Sequence, residues 1–286
     1  MCKNFKYYLK VIKPGIVFGN IISSLSCFLF ASKGIIDFLL LFHVLFGLFL
    51  IISGSCVVNN IIDIKIDKVM KRTKNRVLVK KNISILNAAI YSFILLFAGF
   101  FIIFYYINFF TFFLSFLGFF IYVFLYSLYM KKKSVYAIFV GGISGSIPPL
   151  IGYYSVTKKM DLAFLILFFI FFLWQIPHFY SISIFRIKDY KIAKVPILPI
   201  KTSILFTKIK ITLYILFFII FSESLYFLGY VGIKYLFFSF LINLIWFIFS
   251  ILSYFLNNIK IFYYIFMLSI LVIFFINFFL SFDYTI

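Results

Sequence analysis

Residues 37–76 read DFLLLFHVLFGLFLIISGSCVVNNIIDIKIDKVMKRTKNR, and the change of character along them decides the fold class. Residues 37–58 are an almost unbroken apolar run of the length a helix needs to cross a bilayer core, ~20 residues. Directly after come Asn59, Asn60, Asp63 and Asp67, then a string of cations that includes Arg72, Lys74 and Arg76. This is a span that ends at a membrane surface and carries its polar groups at the edge.

Eight further segments have the same length and character: 14–32, 84–106, 109–129, 135–156, 162–182, 211–230, 235–256 and 261–281. They predict an all-α, polytopic membrane protein with about nine transmembrane helices in one bundle, a single domain over residues 1–286. Composition agrees. Hydrophobic residues make up 65% of the chain and the mean hydropathy is +1.19, which leaves too little polar surface to cover a soluble core. The 47 Phe residues are read mostly as filler. The basic stretch Met1–Lys13 leads into apolar Ile16–Phe30 with no small-residue cleavage site, so it opens the first span rather than a signal peptide.

A net charge of +20 would point to nucleic acid in a soluble protein. Here the cations lie between apolar runs, so the lipid bilayer is the expected partner and nucleic acid is not. With the N-terminus inside, 23 of the 27 Lys and Arg fall on one face; Lys33, Lys158, Lys159 and Lys234 are the exceptions. That bias predicts a cytoplasmic N-terminus, an external C-terminus and two long basic connections, 59–83 and 183–210, on the cytoplasmic side. Cys2, Cys27 and Cys56 form no zinc or CxxC pattern and are assigned neither a disulfide nor a metal.

Chemistry concentrates where acids are least expected. If the second helix continues past residue 58, ~100° per residue places Asn60, Asp63 and Asp67 within a ~60° arc, with Asn59 beside them. Carboxylate and amide oxygens on one face suit Mg²⁺, which is commonly shared between a few carboxylates and substrate phosphates. Arg72, Lys74 and Arg76 follow closely enough to bind those phosphates. Any one of these cations is as well explained as a membrane-surface anchor; two acids on one face are not.

A second constellation runs from Trp174-Gln175-Ile176-Pro177-His178 to Arg186-Ile187-Lys188-Asp189-Tyr190. On a continuous helix His178 and Asp189 would share a face ~16 Å apart. Asp189 would then oppose Asp63 and Asp67, and His178 would lie deep in the bundle, as an iron ligand, a base, or a histidine bound to a carbonyl freed by Pro177. Gly141-Gly142-Ile143-Ser144-Gly145 lacks the Lys-Ser/Thr ending of a phosphate loop and is read as a close-packing surface. Pro148 and Pro149 are expected to kink their helix. His43 and Glu223 are isolated and receive no role.

These motifs resemble those of the protohaem IX farnesyltransferase (haem O synthase) family, within the intramembrane aromatic prenyltransferase superfamily. The resemblance covers most of the chain. It runs through Lys13-Pro14-Gly15-Ile16, Asn59-Asn60-x-x-Asp63-x-x-x-Asp67, Arg72-Thr73-Lys74-Asn75-Arg76, Tyr126-Ser127-Leu128-Tyr129-Met130-Lys131, Pro148-Pro149-x-Ile151-Gly152-Tyr153, Trp174-Gln175-x-Pro177-His178 and Asp189-Tyr190 with Pro196-x-Leu198-Pro199. It implies transfer of farnesyl from farnesyl diphosphate to a vinyl group of haem b, which is a substrate rather than a cofactor. It further implies Mg²⁺ held by Asn59, Asn60, Asp63, Asp67 and Asp189, with Asp63, Asp67, Asp189 and His178 as catalytic residues. The diphosphate falls to Arg72, Lys74, Arg76, Lys131, Arg186 and Lys188, and the haem or prenyl group to Trp174, Gln175 and Tyr190. The implied setting is a bacterial inner membrane, with a haem A synthase or a terminal oxidase taking the product.

Two departures from the family pattern matter. Lys65 stands where an extra Asp is frequent, but it points ~160° away from Asp67 on a helix. Lys188 stands where an acid is frequent, leaving Asp189 alone and a second Mg²⁺ position in doubt. The rival readings are a prenyltransferase for a quinone precursor, against which the Trp174–Phe179 and Asp189–Pro199 segments argue, and a transporter. A transporter should place its polar site near the bilayer midplane, whereas these acids lie at the cytoplasmic edge.

Overall fold

In a membrane the first backbone N–H groups of a helix must find acceptors within the protein. Several starts are closed by a side chain: Asp37 accepts from the Leu40 amide, Ser84 from Asn87, Asn108 from Thr111, Asp161 from Phe164 and Ser203 from Phe206. Two of the seven acids are thereby accounted for as caps. Asp283 acts similarly, accepting from the Tyr235 amide at 2.6 Å.

The computed structural model describes residues 2–256 and 258–285, residues 2–4 by backbone alone. A short helix α1 (Cys2–Val11) precedes α2 (Pro14–Ser32), α3 (Phe38–Val69), α4 (Ile85–Tyr106) and α5 (Phe109–Phe120). The last of these continues as a π-helical stretch, Ile121–Tyr129, and one 3₁₀ turn, Met130–Lys132. Then come α6 (Ala137–Thr157), α7 (Leu162–Phe185), α8 (Ile187–Ile192), α9 (Leu198–Lys201), α10 (Ile204–Phe227), α11 (Ile233–Phe255) and α12 (Lys260–Phe282). Among the described residues, nine of these segments are long and apolar enough to cross a membrane. The fold is the all-α polytopic bundle expected.

Three boundaries differ from expectation. The second span does continue, to Val69, so Asn59 to Asp67 ride on a helix. The seventh begins at Ile204 rather than near 211. Lys208 can lie inside it because its ammonium donates to the Ser253 carbonyl at 2.5 Å, close to the Tyr254 and Phe262 rings. The sixth span ends at Phe185, and Arg186 separates it from α8. The single long helix that would have aligned His178 with Asp189 is therefore not formed. In the fifth span the helix runs on through Pro148 and Pro149.

The bundle is apolar outside and polar within. Phe93, Phe97, Phe101 and Phe104 point outward from α4, while Ser, Thr and Asn side chains fill the contacts between helices. Many of the buried Ser hydroxyls donate to a carbonyl one turn back, as Ser55 does to Ile51 and Ser181 to Pro177. Glu223, buried, is held by Ser239 and Asn243 of α11. The α2–α6 contact is close, since a Cβ on Gly152 would overlap the Ser24 carbonyl. Gly141 and Gly142 face the Tyr126 and Phe172 rings, the packing role read from sequence. Cys27 and Cys56 are buried free thiols; the Cys2 side chain lies outside the described residues.

Both long connections fold back onto one end of the bundle. Val77, Leu78 and Ile83 pack with Val11, Ile12 and Val57, which fixes α1 against α3. Val195 packs with Ile66 and Met70, flanked by Tyr190, Ala193 and Ile197. The 186–201 segment thus lies beside the acidic end of α3.

Candidate active site

Asn59, Asp63 and Asp67, spaced by four, occupy one stripe of α3 and line a cavity of about 700 Å³. Its wall is built from α2, α3, α5 with its π-helical extension, α6, α7 and α12, and the segment 195–198 closes one side. All three polar side chains are nearly inaccessible, at 2%, 1% and 4% exposure, so each needs a partner.

The partners are cations. Lys131 donates to Asp63 Oδ2 at 2.5 Å, and Arg76 to Asp67 Oδ2 at 2.6 Å and Asn60 Oδ1 at 3.3 Å. Lys13 donates to Asn59 Oδ1, and Asn59 Nδ2 donates to Ser127 Oγ at 2.8 Å. Ser127 lies in the π-helical stretch, a geometry that is often found where a helix is bent to a functional purpose. The same stretch stacks Tyr122 and Tyr126 with ring centroids 5.9 Å apart, both on the cavity wall, and leads to Lys131. Burial, helped by the charges of Arg76 and Lys131, pushes the Lys13 ammonium down to about 8.

One atom stays unmatched: Asp63 Oδ1 is buried with no hydrogen-bond partner. An ionised oxygen in that position is expensive unless a cation reaches it. Asp67 likewise makes its one side-chain ion pair through Oδ2. Two carboxylates and an amide oxygen around an open cavity, one oxygen orphaned, fit a small hard cation. The surrounding Lys and Arg fit a polyphosphate, and the apolar chamber behind fits a lipid chain.

A family model described as the UbiA prenyltransferase family matches residues 20–270. The chain belongs to the UbiA prenyltransferase family. Within it, the protoheme IX farnesyltransferase of Yersinia enterocolitica is 47% identical over 241 residues, 84% of this chain and 81% of that protein. The corresponding protein of Sodalis glossinidius is 46% identical over the same share of both. Among solved structures, a digeranylgeranylglyceryl phosphate synthase superposes with a TM-score of 0.80 at 22% identity, covering 98% of this chain and 99% of that one. A UbiA homologue from Archaeoglobus fulgidus bound to DMAPP and Mg²⁺ gives 0.66 at 15% identity, over 96% and 98%. The two structural likenesses establish the UbiA fold.

The residues expected to act together are only partly brought together. Asn59, Asp63, Asp67, Arg72, Arg76 and Lys131 line the cavity, as do Trp174, Gln175, His178 and Tyr190. Asn60 does not; its amide is turned to the Val11 carbonyl, 2.6 Å away, and to Arg76, so it anchors α1 behind the site. Lys74, Arg186 and Lys188 are exposed and lie off the cavity wall, Arg186 resting on the Phe185 ring. Asp189 is buried but is not part of the wall. Lys65 is exposed, as its angular position required. Lys13, Tyr122 and Ser127 were given no role from sequence, because only the folding of α1, α2 and the π-helical stretch onto α3 brings them to the site.

Proposed function

We propose that this chain transfers the farnesyl group of farnesyl diphosphate to a vinyl group of haem b, giving haem O, at the acidic end of the cavity. The orphaned Asp63 Oδ1, beside Asp67 and facing an apolar chamber, is the observation that carries the site. Asp63, Asp67 and Asn59 are the residues that would hold Mg²⁺. When bound, the metal supplies Lewis-acid neutralisation of the departing diphosphate.

The remaining work falls to the chain itself. Lys13, Arg72, Arg76 and Lys131 bind diphosphate oxygens, Lys131 and Arg76 exchanging their carboxylate partners for phosphate. The farnesyl tail extends into the chamber between α2, α7 and α12, where apolar walls keep water from the allylic carbon. Tyr122 and Tyr126 offer ring faces near the position where positive charge develops. As the carbon–oxygen bond to diphosphate breaks, the vinyl terminal carbon bonds to the allylic carbon and leaves a cation beside the macrocycle. Water adds there and loses a proton to solvent, completing a hydroxyethylfarnesyl side chain.

The positive-inside bias supports a cytoplasmic diphosphate entrance, with the protein in a bacterial inner membrane as one integral domain. A haem A synthase or terminal oxidase would then take the product. The test is expression in a bacterium that lacks haem O synthesis, followed by mass analysis of extracted haems. Haem O should appear; a haem b profile unchanged despite correct insertion would refute the assignment.

A further inference from the structure

Away from the acidic end, one group on the cavity wall has no part in diphosphate chemistry. Trp174 and His178, one turn apart on α7, both line the cavity and both meet Ser269 of α12. Trp174 Nε1 donates to the Ser269 carbonyl at 2.7 Å, and His178 Nδ1 lies 2.7 Å from Ser269 Oγ. Ser269 Oγ is also 2.6 Å from the Phe266 carbonyl. A hydroxyl has one proton, and two oxygens at 2.6 Å need it between them. The proton shared with His178 must therefore be the ring's own, so Nδ1 donates, and in the neutral ring Nε2 keeps the lone pair. Among the described residues Nε2 makes no protein hydrogen bond.

A histidine that is merely satisfied in a core would have no free nitrogen on a cavity wall. This one is flanked by aromatic faces, Trp174 at 4.8 Å and Phe266 at 4.7 Å between ring centroids. Flat apolar walls around a neutral imidazole suit a planar macrocycle with a metal at its centre. Histidines that ligate metals almost always donate their other ring N–H to a fixed partner. His43, the chain's other histidine, is half-buried on α3, stacked on Tyr106 and off the cavity wall. His178 precedes the end of α7 at Phe185 by seven residues, ~10 Å of helix, which sets it well inside the bundle.

We infer that His178 Nε2 is the axial ligand taken by the iron of the haem substrate, and that Ser269 is a positioning residue that fixes the ring and its tautomer. This rests on the haem-farnesylation reading above. Iron held there by one bond fixes the macrocycle centre, and the bulk of the ring then lies across the chamber with an edge toward the diphosphate end.

The experiment is titration of the purified full-length chain with protohaem, read by absorption and by resonance Raman in the ferrous state. Wild type should show an iron–histidine stretching band. His178→Gly should lose the band and regain one on addition of imidazole, with binding of farnesyl diphosphate unchanged as proof of folding. Ser269→Ala should keep the band but move it to lower frequency and weaken haem binding ~10-fold, and Ser269→Thr should restore both. A band that persists in His178→Gly, or is absent from wild type, or does not move in Ser269→Ala overturns the inference. Haem O formation by wild type, assayed alongside, separates the two readings. Product together with a persistent band in His178→Gly removes the ligand assignment alone. Neither product nor haem binding removes the haem reading, and the ligand with it.

Discussion

Replacing Asp63 with Asn keeps the shape of the side chain and removes its charge, so it tests the acidic stripe with little steric disturbance. Asp63 Oδ2 is 2.5 Å from Lys131 Nζ and Oδ1 is buried and unmatched. Two unit charges at that distance interact by roughly 6–7 kcal/mol at an effective dielectric of ~20, and a divalent cation on Oδ1 would be held at least as strongly. Desolvation offsets a large part of this. Lys131 turns to the phosphate when substrate binds, so what counts is the cation on Oδ1; if about half of that attraction survives in the transition state, the loss is ~3 kcal/mol, or about 10²-fold in rate. The amide still accepts from Lys131 but no longer offsets its charge, so stability should fall by about 1–3 kcal/mol. The assay is steady-state farnesyl transfer in detergent across a range of Mg²⁺ concentrations, with a thermal melt beside it. Expected are a fall in kcat/KM of about 10²-fold or more, a higher Mg²⁺ requirement and a cooperative melt at a modestly lower temperature. A fall of less than threefold at unchanged Mg²⁺ dependence would refute the assignment of Asp63.

Further outcomes follow from other parts of the structure. Lys13 loses its proton as pH rises through about 8, so kcat/KM, which reports the free enzyme, should fall on the alkaline side. Lys13→Arg should flatten that limb, and an identical limb in the variant would count against Lys13. Lys131→Ala should lower activity at least ~10-fold while Lys65→Ala, on the exposed face of the acidic end of α3, should leave it unchanged; equal effects would contradict the direction assigned to the stripe. Gly152→Ala should destabilise the protein by about 1–3 kcal/mol through the Ser24 carbonyl, seen as a lower melting temperature at unaltered Mg²⁺ dependence.

Much of this was legible in the residues because lipid imposes a coarse rule: spans of ~20 apolar residues are visible without any partner. The stripe of Asp63 and Asp67 was legible for a related reason, since a four-residue spacing fixes a shared face once the helix continues. What escaped depends on contacts that no local pattern encodes. Asn60 has the correct angular position, yet the Val11 carbonyl, 49 residues away in sequence, turns its amide aside. Lys13 reaches Asn59 across 46 residues. The break at Arg186 carries neither Gly nor Pro, so a continuous helix from His178 to Asp189 was the natural but incorrect reading. Ser269 is one of many serines in apolar helices, and its role emerges only from its place opposite His178.

The most direct test of the whole account uses purified protein in lipid nanodiscs, supplied with farnesyl diphosphate, Mg²⁺ and two acceptors together, haem b and a hydroxybenzoate. Products are identified by mass. Haem b should gain farnesyl and one water to become haem O, the hydroxybenzoate should remain unmodified, and chelation of the metal should stop the reaction. Prenylated hydroxybenzoate with haem b left intact would contradict the central claim.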